Sequence, residues 1–268
     1  MAPFPAKATP KRVVSTFLCT DEYVFRLLPR ERIAALSFEA TDRHPVVSTI
    51  ADAARGIAAI HPSAETVLAL HPDLVVMYQD TMPALHAALA SAGVPVLDVP
   101  WANSLAEVGR ITLWLGSTLG EEERARRLLA RMDGEIAAAR ARAGAKPVRT
   151  LIYEPNGYAT SGGVTDEVMT IANLADIAPQ LRLTRAATLP VEAVIANAPQ
   201  LLILNGDPGP VNSRAALVQH HPALAALDGR SAVRWMNLTP LLCPGPWSLD
   251  AAPELAGLGK QAAAGTNR

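Results

Sequence analysis

The chain is poor in aromatic residues, with four each of Phe, Tyr and Trp among 268 positions, and it has only two cysteines. Neither sign of charge is in excess: 24 basic residues stand against 25 acidic ones, for a formal net charge of −1. Nucleic-acid binding usually needs a basic excess or stripe, so the balance argues against it. No apolar run approaches the roughly 18 residues that span a bilayer. Residues 1–8 lack the apolar stretch of a signal peptide, which fits either a cytoplasmic chain or a mature or trimmed form. The signatures G-x-x-x-x-G-K-[ST], G-x-G-x-x-G after a strand and H-E-x-x-H are missing. Gly116-Ser117-Thr118-Leu119-Gly120 has the outline of a nucleophile elbow, but Thr118 holds the serine position and the segment reads as helix. His220-His221 has no carboxylate at ligand spacing. No enzyme is expected, and no catalytic or metal-ligating residue is assigned. Cys19 and Cys243 show no C-x-x-C spacing. Two buried free thiols are the simpler reading. A disulfide, which needs an oxidising compartment, is the alternative.

What is present is a pattern that occurs twice. Ala64-Glu65-Thr66-Val67-Leu68-Ala69-Leu70 leads through His71-Pro72-Asp73 to Leu74-Val75-Val76; Val191-Glu192-Ala193-Val194-Ile195-Ala196-Asn197 leads through Ala198-Pro199-Gln200 to Leu201-Leu202-Ile203-Leu204. Each reads as a short helix opened by a glutamate, a turn with proline, and a continuous apolar run. Such runs suit strands buried on both faces of a parallel sheet. Two similar α/β lobes follow, and a matched pair of lobes points to binding before chemistry.

Short strands are expected at Val13–Ser15, Ile33–Ser37, Leu74–Met77 and Val96–Val99, alternating with helices. Thr20 or Asp21 reads as the cap of the first helix, and 39–60 reads as irregular. Ser104 with Glu107 forms a capping-box pattern before Leu105, Val108, Ile111 and Leu115, one helical face that ends at Gly120. A second helix opens on Glu121-Glu122-Glu123 and runs to about Ala143, about 33 Å at 1.5 Å per residue. The second lobe has strands at Val148–Tyr153, Leu201–Leu204 and Ala232–Met236, and helices at Asp166–Ala175 and Leu249–Ala263. The division read from this is an N-terminal lobe 10–103, a helical connector 104–146 and a C-terminal lobe 147–263.

With the repeated segments, Gly93-Val94-Pro95-Val96 and Tyr153…Thr160-Ser161-Gly162 in that order, the chain resembles the class III periplasmic binding proteins. These are the solute-binding components of ABC importers for ferric siderophores, haem and vitamin B12. The resemblance covers about Lys11 to Ala263. It implies two Rossmann-like lobes with parallel sheets joined by a long rigid helix, and a ligand cleft between the lobes. It implies a monomer located in the periplasm, a small-molecule metal chelate as cargo, and no cofactor beyond the metal that the cargo carries. It also implies an ABC permease dimer as partner, engaged by one exposed glutamate on each lobe; the matching positions are Glu65 and Glu192. Paired carboxylates a fixed distance apart can orient a protein on two arginines. The bland alternative is two helix-terminal acids answering the dipole.

Ligands of doubly wound sheets lie beyond the carboxyl ends of the strands. The residues there are Phe17 after the first strand, Phe38, Arg43 and His44 after the second, Tyr78 after the third and Trp101 after the fourth. From the second lobe come Asn156 and Tyr158, then Asn205 and Asp207, Asn237, and Trp247. The cleft set expected from these is Phe17, Arg43, Tyr78, Trp101, Tyr158, Asn205 and Trp247. Aromatic faces with a few amides suit a large, partly apolar ring or chelate. Acidic siderophores demand several arginines, and only Arg43, Arg185 and Arg214 offer themselves. That leans to a neutral hydroxamate chelate or a corrinoid. Haem needs an axial ligand such as Tyr or His, for which Tyr78, Tyr158 and His44 are the candidates.

Overall fold

Val13-Val14-Ser15 is a fully buried strand, β1 (Val13–Ser15). The computed structural model describes residues 9–43, 47–141, 144, 146–159, 162–181, 187–209, 211, 213–227 and 230–265. Its chain falls into two compact units, one made of the residues up to Met132 with Leu242–Trp247, the other of Asp133–Leu241 with the residues from Ser248 on.

In the first unit, β1 is the centre of a five-stranded parallel sheet with β2 (Ile33–Ser37), β3 (Ala59–Ile60), β4 (Leu74–Tyr78) and β5 (Val96–Val99), in the order β3-β2-β1-β4-β5. The order reverses between β1 and β4, which makes this a doubly wound sheet with its switch point there. Its helices are α1 (Leu18–Leu27), α2 (Ala64–Ala69), α3 (Pro83–Ser91), α4 (Leu105–Leu119) and α5 (Glu122–Ala141), the last continuing into the second unit. Val14, Ala35, Val67, Val75, Met77, Leu85 and Leu89 pack into one apolar cluster, so the alternation of strand and helix is what builds the core. Ser104 accepts from the Glu107 N–H at 3.1 Å to start α4, and Gly120 ends it in the left-handed region at φ 70°. With 20 residues, α5 is about 30 Å long.

The start of α1 differs from expectation. Phe17 holds the cap position and the helix begins at Leu18. Asp21 instead accepts from the N–H and the hydroxyl of Ser37, at 3.1 and 2.5 Å, and is fully buried with Thr20. Bonds to strand ends turned both expected caps inward, Asp21 to Ser37 of β2 and Thr20 to Ser15 of β1. Among the described residues no cation pairs with Asp21, and burial lifts its pKa from 3.8 to about 7.

The reading of Cys19 and Cys243 as free thiols is overturned: they form a disulfide. Cys19 sits in the first turn of α1, and the segment Leu242–Trp247 returns from the far end of the chain to meet it. Pro244 accepts from the Tyr23 hydroxyl at 3.3 Å, the Trp247 indole meets Tyr23 edge-on at 4.8 Å, and the Arg26 guanidinium lies 4.6 Å over the indole. A side chain at Gly245 would collide with the Trp247 ring, so this return path needs glycine.

In the second unit β6 (Val148–Tyr153), β8 (Leu174–Asp176), β10 (Leu201–Asn205) and β11 (Ala232–Met236) form a parallel sheet in the order β11-β10-β6-β8, while β7 (Tyr158–Ala159) and β9 (Ala187–Thr188) make a short antiparallel ribbon. Here the order reverses between β6 and β10. Its helices are α6 (Gly163–Ile171), α7 (Val191–Asn197), α8 (Pro222–Ala225), α9 (Thr239–Leu242) at the unit boundary, and α10 (Ala252–Gly265). The two repeated segments become α2 with β4 and α7 with β10, each strand flanking the first strand of its own sheet. Two expected helices are displaced: α6 runs from Gly163 and stops at Ile171 because Asn173 turns left-handed (φ 63°) ahead of β8, and a 3-10 turn over Pro246–Ala251 delays α10 to Ala252, from where it runs on to Gly265. Among the described residues no helix is long and apolar enough to cross a membrane.

Candidate functional site

At the switch point of the first unit, Phe17 lies just beyond β1 and Tyr78 ends β4. Their rings stack at 5.3 Å and 24°. Trp101, two residues past β5, meets Tyr78 edge-on at 5.5 Å and is 48% exposed. The row continues on the other side: Phe38 follows β2, His61 follows β3, and the two stack at 4.2 Å. All five strands therefore end within two residues of a ring. Burial pushes the Tyr78 phenol strongly up, so it stays a neutral hydroxyl. This edge can cover a broad apolar face by stacking.

The corresponding place in the second unit is polar. Glu154, the first residue after β6, accepts from the Asn205 amide at the end of β10, and its own N–H donates to the Tyr158 carbonyl at 2.7 Å. Burial raises the Glu154 carboxyl above its ordinary range. The loop beyond it is shaped by two left-handed residues, Asn156 at φ 60° and Gly157 at φ 75°. A Cβ on Gly157 would lie 2.9 Å from the Tyr153 hydroxyl, so glycine is required.

Of the expected cleft residues, the structure brings together Phe17, Tyr78 and Trp101, and places Asn205 and the exposed Tyr158 about Glu154. Arg43 pairs with Asp52 on an exposed surface. Trp247, placed by its sequence position with the second lobe, packs in the first unit at 2% exposure and is no part of the ring row. Arg214 is exposed. His44, Thr160, Ser161 and Arg185 lie outside the described residues. Glu65 and Glu192 are both exposed, each in the first turn of its helix. Three residues escaped the sequence reading. His61 follows a two-residue strand in a stretch read as irregular; Glu154 was passed over for Asn156 and Tyr158, although an acid directly after a strand was a usable signal. Gln219, buried beneath Glu154 and Asn205, had none. Among the described residues no three His, Cys, Asp or Glu side chains group to hold a metal.

Solved structures share this architecture. The periplasmic haem-binding protein RhuT from Roseiflexus sp. RS-1 superposes with a TM-score of 0.74 at 24% identity, covering 94% of this chain and 99% of its own. A periplasmic haem-binding protein from Pseudomonas aeruginosa gives 0.65 at 25% identity, covering 94% and 93%. The periplasmic vitamin B12-binding protein BtuF of Vibrio cholerae gives 0.68 at 19%, covering 95% and 98%. No curated protein matches the chain. The family model described as periplasmic binding protein matches residues 13–229, through both switch points and both repeats, and the chain belongs to that family of solute-binding proteins.

Proposed function

We propose that this protein is the cargo-capturing component of an ABC importer, located in the periplasm, and that its cargo is a metal chelate with a broad ring face, of the tetrapyrrole kind. The observation that carries this is the stack of Phe17 on Tyr78 at the switch point, extended by the half-exposed Trp101. The ligands for which the similar proteins are named, haem and vitamin B12, support the same class. The disulfide supports an oxidising compartment. Glu65 and Glu192, exposed and without a hydrogen-bond or ion-pair partner among the described residues, are the carboxylates that dock on the permease. The helices α4 and α5 are the stiff connector of the chain.

Within the class, a corrinoid is the first reading, since among the described residues arginines for anionic groups are scarce about these edges. Haem is the second, favoured by His61: its imidazole is exposed, stacked on Phe38, and has no partner on either ring nitrogen among the described residues. The test is intrinsic tryptophan fluorescence titrated with cyanocobalamin, haemin and ferrichrome. Saturable quenching at micromolar concentration or below by one of the first two is the expected result. Quenching by ferrichrome alone moves the cargo to the siderophores, and silence across all three removes the cargo class.

A further inference from the structure

The two switch points differ in chemistry, and the polar one is built with an oxygen to spare. Glu154 stands where β6 and β10 end side by side. One of its oxygens, Oε2, is taken by the Asn205 amide. Asn205 has a single orientation, because its Oδ1 accepts from the Leu238 N–H at 3.0 Å. Gln219, at 3% exposure, donates to the Tyr153 and Asn205 carbonyls at 2.9 and 3.0 Å and ties the two strand ends together. The other carboxylate oxygen, Oε1, has no donor among the described residues, and no lysine, arginine or histidine pairs with Glu154. A half-buried carboxylate without a cation is costly to keep. Such groups gather where a ligand completes them.

We infer that Glu154 Oε1 accepts a hydrogen bond from an amide or hydroxyl of the cargo, and that this carboxylate selects amide-bearing tetrapyrroles over carboxylate-bearing ones. The inference rests on the tetrapyrrole reading above. An amide N–H satisfies the spare oxygen, whereas a carboxylate brought against it adds a second negative charge to a site with no cation among the described residues to offset it. The aromatic edge of the first unit has no such preference, since rings of either kind stack on it alike.

The test compares two probes with the same corrin ring, dicyanocobinamide, which carries amides, and dicyanocobyrinic acid, which carries carboxylates in their place. Both are titrated against the full chain and its Glu154→Gln variant. The wild type is expected to bind the amide form at least about tenfold more tightly. The variant is expected to lose about tenfold or more for that form, the range of a hydrogen bond to a charged group, and its preference between the probes to collapse. Glutamine keeps a carbonyl for the Asn205 donor, and circular dichroism melts check that the fold is kept. Equal binding of both probes by the wild type overturns the inference without any variant, as does an unchanged preference in Glu154→Gln. Binding of haemin with neither corrinoid bound overturns the selectivity while keeping the cargo class. Failure of the cargo class reads differently: the wild type then binds no tetrapyrrole, haemin included.

Discussion

Replacing Cys19 and Cys243 by alanine tests how the returning segment is held. The bond joins residues 224 apart in sequence. In the chain-entropy treatment a cross-link of that span removes about 18 cal/mol/K from the unfolded chain, or about 5 kcal/mol at 25 °C, at the upper end of what disulfides contribute. The native contacts of the segment, Tyr23 on Pro244 and on Trp247, are not themselves removed, so the loss falls mainly on the unfolded side of the balance. For a chain of this size that corresponds to a midpoint lower by about 10–20 °C. The assay is a thermal melt by circular dichroism of wild type and double variant, each with and without reductant. Wild type in reductant is expected to match the variant, and the variant to ignore reductant. A variant melting within about 3 °C of oxidised wild type would refute the reasoning, because the covalent closure would then contribute almost nothing.

Three further outcomes are expected. Trp101→Ala should weaken cargo binding by about tenfold or more, from lost stacking and burial, with the melt unchanged; equal affinity in a fluorescence-independent titration removes Trp101 from the site. Glu65→Arg with Glu192→Arg should abolish uptake in a reconstituted transporter while cargo affinity stays within a few-fold; a large affinity loss would make these cargo residues. Asp21, with a folded-state pKa of about 7 against 3.8, favours the folded state fully below pH 3.8 and loses that contribution as pH rises towards 7. Between pH 5 and pH 8 that is about 2–3 kcal/mol, so Asp21→Asn should raise the melting midpoint more at pH 8 than at pH 5. An equal change at both values would place the charge elsewhere.

The elements read most easily from sequence were those with a local physical cause. Leu74–Tyr78 and Leu201–Leu204 are continuous apolar runs after a turn with proline, and a parallel strand buried on both faces needs nothing else. Ser104 and Gly120 announced the ends of α4 through cap chemistry alone. What stayed hidden depends on partners far along the chain. Thr20 and Asp21 have cap chemistry, yet a bond to Ser37 turned Asp21 inward. Cys19 meets Cys243, and Trp247 packs on Tyr23, only because the segment Leu242–Trp247 returns to the first unit. β8 had a local signal in the left-handed Asn173, masked by the apolar stretch around it. At the site, the rings at strand ends were legible from scarcity and position. Glu154 gained its meaning only when Asn205 was seen to take one oxygen and leave the other.

The bond between Cys19 and Cys243 also changes what the molecule is as a covalent object. Everything from Cys19 to Cys243 is a closed ring, and it contains most of the second unit, from Asp133 to Leu241. A protease that cuts once within the ring opens it without releasing a piece. The products run as one species on a denaturing gel until reductant is added, and then separate into two. A single nick there adds chain ends, not molecules.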